Sequence, residues 1–299
     1  MKIFTEFNKQ ENLSLILGFF DGIHQGHRIV ISTGVNYAKD NGLKSALITF
    51  NNAPAVFFNK KEPKYILTKS EKINMIENLG VDYLYLLDFN EDFAKINAFD
   101  YLKMLIDNFA PKAITTGYNH YFGYNKSGNS DFLELMQKEY NYKYLQIEPV
   151  KVKNGIVSSS KIKEALSNGD IQTANYMLGY RFYVENEVIK GEQIARTLGF
   201  NTANLLFPED VIEIPNGVYA VEVNIDDKNY IGIANYGSKP TVTDSDKKIL
   251  EVHIINFDQD IYGKNIKVSF LDKIRDEKKF QSLTSLKEQI KKDIECLEL

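Results

Sequence analysis

Gly18-Phe19-Phe20-Asp21-Gly22-Ile23-His24-Gln25-Gly26-His27 is the stretch on which the reading of the chain turns. It overlaps the apolar run Leu13–Phe20, which reads as a short buried strand ending at Asp21-Gly22. A helical pattern follows from about Gly26 to Lys39 and is stopped by Asp40-Asn41-Gly42. Two histidines therefore bracket a glycine where a strand passes into a helix. Glycine lets the backbone approach a phosphate closely while both imidazoles face it, and a helix N-terminus favours anions. Imidazole donors in that place can stabilise charge that builds on a phosphate during its transfer. The alternative is a pair of surface histidines in a turn.

Outward from this stretch, strands and helices alternate. Leu43–Phe50 reads as a second strand, Thr68-Lys69-Ser70-Glu71 has the spacing of a capping box, and its helix ends near Gly80. Val81–Phe89 is strand-like, Phe99–Phe109 helical and Lys112–Thr116 strand-like. Such alternation predicts a parallel, helix-covered sheet that binds ligands at the C-terminal ends of its strands. Two further segments fit that picture. Gly117-Tyr118-Asn119-His120-Tyr121-Phe122-Gly123 follows a strand and puts glycines and aromatics on a loop suited to a flat ring ligand, or is an ordinary aromatic loop. Val157-Ser158-Ser159-Ser160-Lys161-Ile162-Lys163 offers hydroxyls and cations at a helix start, a polyphosphate clamp or a plain serine cap.

The texture changes after Ser160. Two short helices are predicted, Ser160–Ser167 and Asp170–Leu178, with Gly179 as the stop. Beyond Arg181, the segments Phe182–Ile189, Gly217–Ile225, Tyr230–Tyr236, Leu250–Phe257 and Ile266–Leu271 are β-rich with polar turns between them. They predict a small antiparallel barrel closed by a helix over Ser282–Leu297, with Leu283, Leu286, Ile290 and Ile294 on one stripe. The domain boundary is placed near 180, giving 1–180 and 181–299.

Bulk properties narrow the class. The chain has 299 residues, 43% hydrophobic and 25% charged, with net charge −4, so no nucleic-acid footprint is expected. Its single cysteine, Cys296, allows no internal disulfide and no cysteine zinc cluster. The start lacks a signal-peptide pattern, and the run Leu13–Phe20 is too short to span a bilayer, so a cytoplasmic protein with no membrane partner is expected. With no electrostatic or hydrophobic outlier in the sequence, a monomer is assumed. All four histidines, His24, His27, His120 and His253, fall inside candidate site motifs, the last of them in Glu251-Val252-His253.

In the second half, Thr202 and Asn204 are oxygen donors suited to Mg²⁺ and phosphate, and Glu251 is a carboxylate able to accept a hydroxyl proton. Chemistry alone leaves open a barrel with polar turns.

The pattern Gly-x-Phe-Asp-Gly-x-His-x-Gly-His after a strand resembles the nucleotidylyltransferase superfamily, whose domains are Rossmann-like. With Gly117–Gly123 and the Ser-Ser-Ser-x-Ile-Lys element, the N-terminal half resembles the adenylyltransferase module of bacterial bifunctional riboflavin kinase/FAD synthetase. The order Ala195–Asn204, Asn216–Ala220, Gly237–Thr241, Glu251-Val252-His253, Tyr262-Gly263 resembles that family's riboflavin kinase domain. The resemblance implies transfer of AMP from ATP to FMN, with Mg²⁺, plus phosphorylation of riboflavin. It implies that His24 and His27 are catalytic and contact the ATP phosphates. Gly18, Phe20, Asp21, Gly26, Asn119, Ser159, Ser160 and Lys163 would bind that ATP. Phe50, Phe122, Gly123 and Arg275 would bind flavin. Gly199, Thr202 and Asn204 would bind the kinase ATP, Thr202 and Asn204 the metal, and Glu251 would be the kinase base.

Departures from the family pattern are visible. Ser160 and Lys163 stand where the family has Thr and Arg, and Phe50-Asn51-Asn52-Ala53-Pro54 replaces Phe-x-Pro-His-Pro. Ala195, Asn201 and Lys239 replace Gly, Pro and Arg, which leaves two readings of the kinase half: working, or reduced to a flavin or nucleotide binder. Other superfamily activities, cytidylyl transfer or pantetheine-phosphate adenylylation, and a flavin-sensing protein without turnover are the alternatives.

Overall fold

The computed structural model describes residues 1–53, 63–152, 155–190, 201–238 and 247–297. Pro54, Ala195, Gly199 and Lys239 lie outside the described residues. The chain divides into two compact units, Met1–Ser159 and Ser160–Leu299.

The first unit carries β1 (Lys2–Phe4), β2 (Leu13–Leu17), α1 (Gln25–Asp40), β3 (Lys44–Phe50), α2 (Lys69–Asn78), β4 (Tyr83–Leu87), α3 (Glu91–Ala94), α4 (Ala98–Phe109), β5 (Ala113–Gly117), α5 (Ser130–Met136) and β6 (Lys143–Ile147). The strands form one parallel sheet in the order β1-β4-β3-β2-β5-β6. Every residue of β2 is buried, as a central strand covered on both faces requires. Helix α4 faces inward through Ala98, Tyr101, Leu102, Leu105 and Phe109, at helical spacing. Thr68 and Glu71 close both halves of the predicted capping box at the start of α2. The chain leaves β2 towards β3 on one side and returns to β5 on the other. That reversal puts the β2–α1 turn and the loop after β5 on either side of a crevice at the strands' C-terminal ends, where ligands bind open α/β sheets. A short hairpin, β7 (Lys151–Val152) and β8 (Gly155–Ile156), follows.

The second unit contains nearly all of α6 (Ser159–Ser167), then α7 (Ile171–Leu178), β9 (Tyr183–Glu187), β10 (Thr202–Leu206), β11 (Gly217–Ile225), β12 (Lys228–Ser238), β13 (Lys248–Ile254), β14 (Asn265–Asp276) and α8 (Leu283–Glu295). Gly179 ends α7 in the left-handed conformation expected of it. Asn175 of α7 clasps the sheet: its amide donates to the Phe270 carbonyl and its side-chain oxygen accepts from Phe182 N. The strands run antiparallel in the order β10-β13-β12-β11-β14-β9. The two edges nearly meet, because Ile189 bridges to Asn204 just past β9 and Asn186 donates to the Leu206 carbonyl. This is the barrel-like sheet that the β-rich pattern predicts. Strand β10 is absent from the sequence reading.

Helix α8 has its half-buried stripe at Leu286, Ile290 and Ile294, but the most buried of its described side chains is Asp293, 2% exposed. Arg275 of β14 grips that carboxylate with Nε and Nη2 at 2.8–3.1 Å, and Gln289 adds a third donor. Arg275, expected at a flavin, here latches the helix to the sheet. Removing one partner of such a pair leaves a buried charge unpaired. Asp293→Ala is expected to cost about 3 kcal/mol in urea unfolding of the second unit, and Arg275→Met with Asp293→Leu far less. Equal losses from the single and the double variant would contradict this role.

Candidate active site

The β2–α1 turn is built from backbone shapes that few sequences supply. Phe20, Gly22 and Ile23 all take positive φ, at 56°, 80° and 36°. Gly18 is required by space: a Cβ there would lie 2.6 Å from Cζ of Phe20, whose ring folds back over it. The Phe20 ring is buried and meets the edge of His27, with centroids 5.3 Å apart at 84°. Asp21 is buried as well. Its Oδ1 accepts from Ile66 N at 2.9 Å and its carbonyl accepts from Ser159 Oγ at 2.9 Å. Phe20 and Asp21, expected at a nucleotide, use their side chains to hold the turn. Ser159 ties the start of α6 to it.

The two imidazoles stack, centroids 3.6 Å apart and 17° from parallel. His24 is the N-cap of α1, its Nδ1 accepting from His27 N at 3.3 Å. An accepting Nδ1 leaves the proton of a neutral ring on Nε2, so His24 offers one N–H away from the helix. Gly26 leaves room for this ring, since a Cβ there would sit 3.2 Å from His24 Cε1. Burial, with the Arg28 charge assisting, pulls His24 down to about 4. Burial, then His24 and Lys72, hold His27 well below the usual imidazole range. Both rings are therefore neutral donors at pH 7, set at a helix N-terminus.

Beneath the turn, Lys72 of α2 donates to the Phe19 carbonyl at 2.6 Å and to Thr49 Oγ1 at 3.0 Å, and Thr49 donates to the same carbonyl at 2.9 Å. Burial brings Lys72 down to about 8, opposed by the Asp21 carboxylate. Sequence reading missed Lys72 and Thr49. One signal was available: a cation in the opening turns of a helix opposes the macrodipole.

Across the crevice, Asn119 is exposed on the turn after β5, and His120 N donates to the Gly117 carbonyl at 3.2 Å. His120 lies over Phe122, and burial lowers it to about 4. Phe50 and Phe122 are linked by an aromatic chain: Phe50–Phe93, Phe93–Tyr101 and Tyr101–Phe122, with centroids 5.1, 5.8 and 5.3 Å apart. Gly123 has φ 72°, and a Cβ on it would strike Ala98 N at 2.6 Å, so its glycine is fixed by the start of α4. The Asn51-Asn52 loop is bonded locally, Asn51 to Asp88 and Asn52 to Phe89. Ser160 and Lys163 are on the first turns of α6, Ser160 exposed and Lys163 half-buried.

The second unit holds its own constellation. Thr202 pairs with His253 and Asn204 with Glu251 across β10 and β13. Strand alternation puts all four on one face, while Ala203, Leu205, Leu250 and Val252 line the other, buried face. Thr202 Oγ1 donates to Glu251 Oε1 at 2.8 Å, and His253 Nδ1 bonds the Asn201 carbonyl at 2.9 Å. A cleft of about 170 Å³ opens beside Thr202, lined also by Val188, Asn201, Phe257 and Tyr262. Mg²⁺ takes one or two protein oxygens and completes its shell with water and phosphate. A hydroxyl, an amide oxygen and a carboxylate on one strand pair fit that ion. No group of three or more His, Cys, Asp or Glu among the described residues makes a closed metal cage.

The depressed histidines have a consequence for stability. Between pH 6.5 and about 4 the unfolded chain binds protons that folded His24, His27 and His120 refuse. Their contribution is complete above pH 6.5 and is lost as pH falls towards 4. Calorimetry of the first unit's transition should show Tm falling from pH 6.5 to 5, and His120→Phe should flatten that fall. A slope unchanged by the substitution would remove His120 from the account.

Comparison with known proteins agrees with both units. The FAD synthetase family model matches residues 6–161, and the riboflavin kinase model matches 178–298. A Bacillus subtilis bifunctional riboflavin kinase/FMN adenylyltransferase is 36% identical, with 95% of this chain and 91% of that protein covered. The Escherichia coli K12 protein of the same name is 31% identical over 95% of this chain and 91% of its own length. A Streptococcus pneumoniae crystal structure, described as a macrolide-efflux protein, superposes with TM-score 0.88 at 30% identity, covering 99% of this chain and 98% of that one. No helix among the described residues is long and apolar enough to cross a membrane. The chain belongs to the bifunctional riboflavin kinase/FMN adenylyltransferase family.

Proposed function

We propose that the protein makes FAD from riboflavin in two ATP-dependent steps, one in each half, with the functional division near residue 180. The observation that carries the first step is the pair of neutral, stacked imidazoles at the N-terminus of α1. A phosphate oxygen of FMN attacks the α-phosphorus of ATP in line. The new P–O bond forms as the bond to the β-phosphate bridging oxygen breaks, and pyrophosphate leaves. His24 and His27 donate to the nucleotide's phosphate oxygens as charge grows there, with the α1 backbone amides adding partial positive charge. Neutral donors suit this task, since they bind the oxygens without giving up a proton. Asn119 and Ser159 add polar contacts to the nucleotide, and Ser160 and Lys163 are proposed as further ATP ligands. Phe50 and Phe122 form the apolar wall against which the flavin ring rests.

In the second half, Glu251 accepts the proton of the riboflavin hydroxyl that attacks the γ-phosphorus, and ADP leaves. The observation in support is that Glu251 already receives the Thr202 hydroxyl on the same polar face as Asn204. Thr202 and Asn204 would hold Mg²⁺, which neutralises phosphate charge when bound. The enzyme is further proposed to act as a cytoplasmic monomer.

Two variants separate the steps when flavin products are resolved by chromatography after incubation with ATP and Mg²⁺. His27→Ala should cut FAD formation from FMN by about a hundredfold or more, while FMN still forms from riboflavin. Glu251→Gln should abolish FMN formation from riboflavin and leave FAD formation from FMN intact. A near-wild-type rate for His27→Ala would remove the imidazole pair from the mechanism.

A further inference from the structure

Lys72 belongs to the N-terminal constellation, but the transfer step described above makes no use of its charge. Its ammonium is buried, yet its hydrogen bonds go to neutral oxygens, the Phe19 carbonyl and the Thr49 hydroxyl. The Asp21 carboxylate acts on it through space. Its Nζ also lies 4.6 Å from the centre of the Phe19 ring. Desolvating an ammonium is costly, and its place near the start of α2 sets it against the helix dipole. A local arrangement that burial and helix electrostatics both oppose points to use elsewhere in the molecule.

Its contacts show what it holds. The Phe19 carbonyl takes two hydrogen bonds, one from β3 through Thr49 and one from α2 through Lys72. Phe19 is the residue between Gly18, over which the Phe20 ring folds, and Phe20 itself, whose ring props His27. We propose that Lys72 is a positioning residue for adenylyl transfer: its ammonium fixes the Phe19 carbonyl, and through it the turn that presents both imidazoles to the nucleotide. The proposal rests on the transfer reading above.

A second effect of the same charge follows from its place. The charged or titratable groups acting on His27 are His24, ahead of α1, and Lys72 on α2. Arg28 acts on His24 in turn, and Asp21 acts on Lys72. Lys72 opposes a proton on His27, so taking the cation away makes protonation easier and moves His27 titration to higher pH.

The test uses the full-length chain carrying K72M, which keeps length and loses charge, K72R, which keeps charge, and T49V, which removes the other donor. Two readouts are taken: kcat and KM for ATP in FAD formation from FMN across pH 5 to 9, and histidine imidazole titration by NMR. For K72M, kcat should fall about tenfold or more with KM for ATP little changed. The acid limb of the kcat profile and His27 titration should both move to higher pH. K72R should recover most of kcat, and T49V should lower kcat without moving His27. K72Q serves if K72M does not fold. A K72M kcat within about twofold of wild type, or a fall in kcat with His27 titration unmoved, would overturn the proposal. If the unaltered protein makes no FAD, the transfer reading fails, while the imidazole titration still decides whether Lys72 acts on His27.

Discussion

Everything in the N-terminal half converges on the left-handed turn between β2 and α1. Two of its positive-φ residues, Phe20 and Ile23, carry side chains, and each costs about 1 kcal/mol or more in that conformation. The turn is kept by bonds from distant segments: Thr49 and Lys72 to the Phe19 carbonyl, Ile66 N to the Asp21 carboxylate, and Ser159 to the Asp21 carbonyl. These partners come from β3, the segment before α2, α2 itself and the start of α6. The parallel sheet is what brings such remote pieces to one edge, and the turn is where their hydrogen bonding is spent.

The payoff is electrostatic. An imidazole in water is near its midpoint at neutral pH, whereas these two are kept unprotonated by burial and by neighbouring cations. The histidines thus supply directed N–H groups, and the positive field comes from Lys72, Arg28 and the helix terminus. Separating the donor role from the charge role lets hydrogen bonds point at a phosphate from rings whose protonation does not change across the working pH range. In the second half the same economy of parts is reached by strand alternation: one face of β10–β13 is apolar core, and the other gathers Thr202, Asn204, Glu251 and His253.

Much of this was legible from local pattern. The strand–turn–helix at residues 13–40, the Thr68–Glu71 capping box, the Gly179 stop and the barrel strand Gly217–Ile225 follow from periodicity and cap chemistry, and the structure has them. What was not legible depends on partners far away in sequence. Thr202–Leu206 is not named as a strand from sequence because it is short and Asn204 is a poor strand former, and its pairing with residues 249–253 makes it one. The apolar stripe of α8 hides Asp293, whose burial makes sense only with Arg275 across from it. Lys72 looks like an ordinary surface lysine until Phe19 and Thr49 are placed above it.

The most direct test of the central claim is to follow phosphate from ATP into flavin. ATP labelled at its α-phosphate is incubated with FMN, Mg²⁺ and the protein, and the flavins are separated. The label should appear in FAD in step with pyrophosphate release, and Gly18→Ala, by pushing the Phe20 ring off its seat, should slow both together. Label that never enters flavin, with FMN bound and ATP intact, would contradict the assignment of the histidine turn to adenylyl transfer.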